Sequence, residues 1–331
     1  MIIKITGQAG EPSFPFETSG PWKLFREEIV RSGHVIWSEN TKEPADALIA
    51  NSIDRKLVKF IEKSSIPLDR RALVIWEPHI VDRSLYNPKI LELFGGIFAP
   101  SKLWAEKLNC SAFLWPQDSQ VQYQKFDKWI ERSNTGVLIQ GNKFSATKGE
   151  MYSIRRKVLR TIDPSFLKFY GTDWNKGVWY DSLKWTKALL RTSYRDFSLD
   201  SITGIGKSYA NYCGEVADKN PILERFRISI VIENSLDFVS EKLFDSIKAG
   251  CISIYVGPQL EAFDIPSSCA IQVRPDPEVI VRAFYEVSKL PSEIQKQIAI
   301  SQNENLSKVA PNWNNKRILS ELALSILQSF N

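Results

Sequence analysis

The sequence predicts an α/β protein built as two successive domains, each a parallel sheet covered by helices on both faces. Three observations predict it: short apolar runs alternate with helical patterns, a polar stretch interrupts the alternation once, and the same rhythm then resumes. At 331 residues the chain is long enough for two cores of ordinary size.

In the first part, "IIKIT" (Ile2–Thr6), "HVIWS" (His34–Ser38), "DALIAN" (Asp46–Asn51), "ALVIWE" (Ala72–Glu77) and "GIFAPS" (Gly96–Ser101) read as strands. Runs this apolar suit a sheet buried on both sides. Trp22–Gly33 and Asp54–Ser64 carry apolar residues at helical spacing, and Gly33 suits a C-cap. The polar segment Pro116–Asn134 marks the boundary, so the domains are 1–125 and 126–310. After it come a strand at Gly136–Asn142, a helix at Gly149–Ile162, a strand at Phe166–Gly171 and a helix near Tyr180–Arg191. The strand Phe226–Ile232, a helix at Glu241–Ala249 and the strand Cys251–Gly257 follow. Residues 311–331 include an amphipathic helical pattern, Asn314–Phe330, expected either to pack back across an interdomain cleft or to meet a partner.

A hydrophobic fraction of 43% and a charged fraction of 24% exclude disordered and fibrous classes. No run is long and apolar enough for a membrane span, and the start lacks a secretory pattern, so a cytoplasmic protein is expected, with peripheral membrane association left open. A net charge of +5 without a basic block does not argue for nucleic acid. Cys110, Cys213, Cys251 and Cys269 lie far apart with no C-x-x-C pair, so reduced, mostly buried thiols are expected. Asn109 and Asn305 open N-x-S sequons, read as chance matches.

The segment "IENSLDFVSEKLFDSIKAG" (Ile232–Gly250) poses an electrostatic question. Ser240 is a ready N-cap, Leu243, Phe244 and Ile247 line one face, and Gly250 gives a left-handed exit. Lys242 falls in the first turn, where unpaired amides already concentrate positive charge and a cation is disfavoured by ~0.3–1 kcal/mol. A bound phosphate would reverse that sign, and a strand–loop–helix junction is where doubly wound folds bind nucleotides. A solvated pair with Glu241 is the alternative.

These residues carry a resemblance. Phe226–Pro258 resembles the donor-binding motif of the alpha-1,3-fucosyltransferase family, F-x-I-x-F-E-N-S, then Y-[VI]-T-E-K-[IL], then A-G-x-[IV]-P-[IV]-Y-x-G. Glu233, Asn234, Ser235, Glu241, Lys242, Leu243, Gly250, Tyr255 and Gly257 match in order, and Asn142–Gly171 is similar to the segment that precedes the donor site. The chain departs at Ile232 and Phe238, where the family has Phe and Tyr, and at Ser240 and Ser253, where it has Thr and Pro. The resemblance implies the GT-B glycosyltransferase fold: two Rossmann-like domains facing a cleft, the acceptor-binding domain first and the GDP-sugar domain second. It implies inverting transfer of fucose from GDP-fucose, the donor substrate, to a hydroxyl of a glycan acceptor, with no cofactor. Carried over, Glu241 meets the ribose, Lys242 and either Arg155 or Arg156 meet the diphosphate, and Asn234, Phe238 and Ser240 complete the donor site. Another GDP-sugar, or a non-catalytic glycan- or nucleotide-binding protein on the same scaffold, are the alternatives.

The residue types suit that chemistry, because a departing diphosphate gathers negative charge that fixed cations and a helix N-terminus stabilise. The helical phase of Gly149–Ile162 points Met151, Ile154, Val158 and Ile162 inward and leaves both arginines on the flanks. A general base is needed on the acceptor hydroxyl. The family carries it at the end of an acceptor-domain strand, which here singles out Glu77, followed by Pro78; His79 and Trp76 are acceptor-side candidates. No D-x-D metal motif occurs, so metal dependence is not expected, and no G-x-G-x-x-G follows the first strand. "SITGIGKS" (Ser201–Ser208) imitates a phosphate-binding loop but has Ser201 in place of the first glycine and no strand before it.

Overall fold

The computed structural model describes residues 1–7, 21–38, 41, 43–117, 126–190, 192 and 196–330. The chain divides into two compact units, Met1–Ser119 with Pro311–Asn331, and Gln120–Ala310. The expected boundary at 125/126 falls at the edge of 118–125, outside the described residues, as does Arg191 at the end of the expected helix.

The first unit holds a six-stranded parallel sheet of β1 (Ile2–Thr6), β2 (Val35–Ile36), β3 (Ala47–Ala50), β4 (Arg71–Val74), β5 (Gly96–Ala99) and β6 (Ser111–Ala112), ordered β2-β1-β3-β4-β5-β6. Its helices are α1 (Pro21–Arg31), α2 (Arg55–Lys63), the single turn α3 (Pro88–Leu91) and α4 (Lys102–Leu108). Asp54 caps α2 by accepting from the Leu57 amide, and Ser101 caps α4 through the Trp104 amide. Leu48, Ala50, Leu73, Ile75 and Ala99 are buried in the core between sheet and helices.

The second unit holds a five-stranded parallel sheet of β7 (Ser133–Ile139), β8 (Leu167–Tyr170), β9 (Phe226–Ile232), β10 (Ile252–Val256) and β11 (Ile271–Gln272), ordered β11-β10-β9-β7-β8. Around it lie α5 (Tyr152–Thr161), α6 (Gly177–Leu190), the single turn α7 (Asn220–Leu223), α8 (Glu241–Lys248), α9 (Pro277–Ser288) and α10 (Ser292–Val309). Every residue of β10 is buried, as an apolar central parallel strand requires. Leu243, Phe244 and Ile247 of α8 have no exposed surface, each burial stabilising by about 1.5–3 kcal/mol.

The apolar pattern predicts no element between Gly257 and Asn314, yet α9 and α10 occupy most of that stretch. The buried face of α10 explains the omission: Gln295, Gln302 and Asn303 are inside it, so apolar periodicity is broken. Their amides are used, Gln302 Oε1 accepting from the Ser253 amide at 2.8 Å and Asn303 Nδ2 donating to the Ile247 carbonyl at 2.9 Å.

The last helix, α11 (Asn315–Ser329), belongs to the first unit and packs against α1. Ser320 Oγ donates to Glu28 at 2.5 Å, and the Gln117 amide bonds the Trp313 carbonyl at 2.7 Å. Cys251 and Cys269 are buried, Cys110 is half-buried and Cys213 is exposed. No helix among the described residues is long and apolar enough to cross a membrane.

Candidate functional site

In the second sheet β7 and β9 are neighbours, while β8 lies outside β7 and β10 lies outside β9. The chain therefore leaves the carboxyl ends of β7 and β9 in opposite directions, opening the crevice where doubly wound folds bind ligands. Gln140 ends β7 and stitches the crevice floor, its Nε2 donating to the Ile232 carbonyl at 2.8 Å. Trp174 Nε1 donates in turn to the Gln140 carbonyl at 2.6 Å. Gly171, at φ 139°, is required beneath it, because a Cβ there would stand 2.1 Å from that same carbonyl oxygen.

At the end of β9, the fully buried Glu233 receives the Ser240 amide at 2.9 Å and the Ser240 hydroxyl at 2.6 Å. The same hydroxyl accepts from Lys242 Nζ at 2.7 Å and, more weakly, caps the Lys242 amide at 3.4 Å. Lys242 Nζ stands 3.6 Å from the Glu233 carboxylate and 3.8 Å from Glu241. The sequence looked for an outside anion to balance the lysine at this helix tip. Glu233, matched in the motif but absent from the candidate residues, already supplies one from within the chain. Lys242 keeps 16% of its side chain exposed and Asn234 is half-buried, so these two remain for an anionic ligand.

Glu241 also pairs with Lys219, its Oε1 lying 3.0 Å from Lys219 Nζ; Lys219 also binds Asp245, one turn later, at 3.1 Å. Burial works to raise the Glu241 carboxyl, but Lys242 and Lys219 outweigh it and bring its pKa to about 2. Burial raises Asp245 against the pull of Lys219, and it keeps the Tyr255 hydroxyl well above its ordinary range. The Tyr255 ring lies so close beneath Gly257 that a Cβ there would meet its Oη at 2.2 Å.

Both arginines are buried, each with 1% of its surface exposed, so the expected placement on open flanks of the helix is corrected. Arg155 Nη2 donates to the Ile232 and Glu233 carbonyls, both at 3.0 Å, and to Asn234 Oδ1 at 2.8 Å, while the guanidinium lies 4.7 Å from the Tyr152 ring. Arg156 donates through Nε to the Thr203 carbonyl at 2.5 Å, through Nη1 to Lys143 at 2.8 Å and through Nη2 to Ser201 at 3.1 Å. Burial lowers both guanidinium pKa values, Arg156 to about 10, so it stays charged near neutrality. The physical reason for their burial is the crowd of carbonyls at the strand ends, for which a five-donor fork is a matched partner. The loop at Ser201–Ser208 is one of the things Arg156 organises, and Gly206 of that loop donates its amide to Asp181 at 2.9 Å.

Phe238 and Ser240 are also buried, at 3% and 2% exposure, so the phenyl ring offers a ligand almost no surface and the serine acts through Glu233 and Lys242. Among the described residues no cluster of His, Cys, Asp and Glu is arranged to hold a metal ion.

In the first unit Glu77 lies just past β4, half-buried, with its carbonyl accepting from the Tyr86 hydroxyl at 2.9 Å. Trp76 is buried among rings, 4.3 Å from Trp22 and 4.2 Å from Trp115 by centroids. His79 sits 5.8 Å from Tyr86 and 5.4 Å from Trp104. Lys219 was missed by sequence reasoning altogether; it lies outside both resembling segments and only the fold brings it to α8.

No protein-family profile matches the chain. Over 169 residues, 50% of this chain, it is 29% identical to a fucosyltransferase-like protein of Arabidopsis thaliana, and it spans only 30% of that relative's length. Among solved structures it is similar to Anabaena HepE in complex with UDP-glucose, with a TM-score of 0.60 at 11% identity, covering 99% of this chain and 100% of that one. It is similar also to a UDP-forming trehalose-phosphate synthase of Burkholderia xenovorans, with a TM-score of 0.53 at 12% identity over 94% of this chain and 78% of that one. The fold is that of GT-B glycosyltransferases, with two parallel sheets of Rossmann-like character.

Proposed function

We propose that the chain is an inverting glycosyltransferase that moves fucose from GDP-fucose to a hydroxyl of a glycan acceptor. The observation that carries the reading is the ordered Glu233–Ser240–Lys242 chain of contacts at the N-terminus of α8, at the sheet's switch point. The fucosyltransferase-like relative and the GT-B fold support the same class.

In this reading α8 receives the nucleotide. Lys242 faces the diphosphate, and the Glu241 carboxylate accepts from ribose hydroxyls. Arg155 and Arg156 act at one remove, holding Asn234 and the surrounding loops in place rather than spending their donors on phosphate. Glu77 takes the proton from the acceptor hydroxyl as its oxygen attacks the anomeric carbon from the face opposite GDP. The bond from that carbon to the β-phosphate oxygen breaks, and GDP leaves with charge that Lys242, at the positive end of the α8 dipole, stabilises more as it develops than before.

The departures from the resembling family at Ile232 and Phe238 motivate a second version in which the same site takes another GDP-sugar. A thermal shift with GDP, set beside UDP, tests the nucleotide. At about 100 times its dissociation constant a ligand stabilises by about 2.7 kcal/mol, so GDP should raise Tm and UDP should not. A preference for UDP overturns both versions, and transfer assays with GDP-fucose and GDP-mannose separate them.

A further inference from the structure

The helix α6 turns its apolar side outward. Trp179 is 90% exposed, Leu183 55% and Leu190 81%. At 3.6 residues per turn these three lie within roughly 40° of one another around the axis. The opposite side holds the helix to the unit: Asp181, buried, accepts from Asn142 Nδ2 at 3.1 Å and from the Gly206 amide, and Trp185 Nε1 donates to Ser201 Oγ at 2.9 Å. The turn that carries Ser201 adds Leu199 and Ile202, also exposed, beside the same helix. Isolated apolar residues on a surface are ordinary, but an apolar stripe on a helix whose polar side is docked marks an interaction face.

Charge identifies what it meets. From Asp173 to Asp196 the sequence has five cations, Lys176, Lys184, Lys187, Arg191 and Arg195, against three acids: Asp173, the buried Asp181 and the half-buried Asp196. Lys176 and Lys187 are exposed. Of nearby acids, Asp173 is paired with Lys184 at 2.5 Å and Asp200 with Lys157 at 2.6 Å. A tryptophan and leucines flanked by lysines, with no exposed acid on the helix, is the chemistry of a helix lying in the interface of an anionic bilayer. There the rings and leucines reach the acyl boundary while the lysine heads stay with the phosphates.

We propose that the outward face of α6 docks the protein on anionic lipid surfaces. This inference is independent of the nucleotide and of the reaction. The test is co-sedimentation of the full chain with vesicles of phosphatidylcholine alone and of phosphatidylcholine mixed with phosphatidylglycerol. Binding is expected to the mixed vesicles only and to weaken as salt rises. The variant Trp179→Ser/Leu183→Ser/Leu190→Ser, altered only at exposed positions, should lose binding while keeping its Tm. Lys176→Gln and Lys187→Gln should each weaken binding roughly fivefold. Equal binding by the triple variant, or no binding by the wild type, overturns the proposal. So does a wild type that elutes as a dimer and a triple variant that elutes as a monomer without either binding vesicles, because the stripe then covers a second copy.

Discussion

At the carboxyl end of β4 in the first unit, the chain meets rings: Trp76 against Trp22 and Trp115, His79 against Tyr86 and Trp104, and Glu77 between them in sequence. At the carboxyl ends of β7 and β9 in the second unit it meets ions: Glu233, Lys242, Glu241 and Lys219 in linked contacts, with Arg155 and Arg156 bonded to main-chain carbonyls beside them. The strand orders are alike, since each sheet sends its first crossover one way and its next the other. The contrast therefore comes from what each sequence puts at the strand ends. Rings beside a carboxylate suit the CH faces and hydroxyls of a sugar, whereas clustered charges suit a group that arrives and leaves with charge.

The sharpest break of that contrast is Glu77→Gln. If the first unit supplies the base, turnover should fall by roughly 10²–10⁴ while the thermal shift with GDP is unchanged. A loss of the GDP shift would put Glu77 in the nucleotide site instead. Next is Arg155→Met, which leaves two main-chain carbonyls and Asn234 Oδ1 without their donor. Unfolding free energy should drop by about 3–5 kcal/mol, read from urea midpoints, whereas an arginine used only for ligand would leave stability nearly unchanged. Lys242→Ala should weaken GDP by roughly 10- to 100-fold, the range for losing a charge-assisted contact, measured by calorimetry. Ser240→Ala removes the relay between Glu233 and Lys242 and should cost about 1 kcal/mol of stability, typical of a lost cap.

The smallest effect concerns acid. The Glu241 carboxyl titrates at about 2 in the folded chain against an ordinary 4.5, so its contribution to stability is complete above that ordinary value and is lost as pH falls from there toward 2. Lys219→Met removes part of the cause and raises Asp245 further, and both changes flatten the loss. The Tm of the variant should fall less than that of the wild type between pH 5 and pH 2; an equal fall means that Lys219 does not set the Glu241 charge.

Much of the fold could be read from the chain itself. β1 and β9 have the bounds their apolar runs announce, and Asp54, Ser240 and Gly250 punctuate helices as their types require. The helix α10 was hidden because three amides, Gln295, Gln302 and Asn303, interrupt its buried face, and their partners lie outside the helix. The candidate site was legible only in part. Ser240 and Lys242 stand out as a cap and a misplaced cation, but Lys219 carries no local signal, and the two arginines read as flank residues, one of them for a diphosphate, where the fold buries both against carbonyls.

By itself the sequence determined the alternation of strand and helix and the strand–cap–lysine element, since periodicity and capping act over a few neighbouring residues. Only the tertiary structure decided how the charges pair. Glu233 closes on the helix tip as its internal anion, and Arg155 and Arg156 spend their donors on carbonyls from distant loops. A buried ion must find partners wherever the fold brings them, and that depends on which strands become neighbours rather than on spacing along the chain.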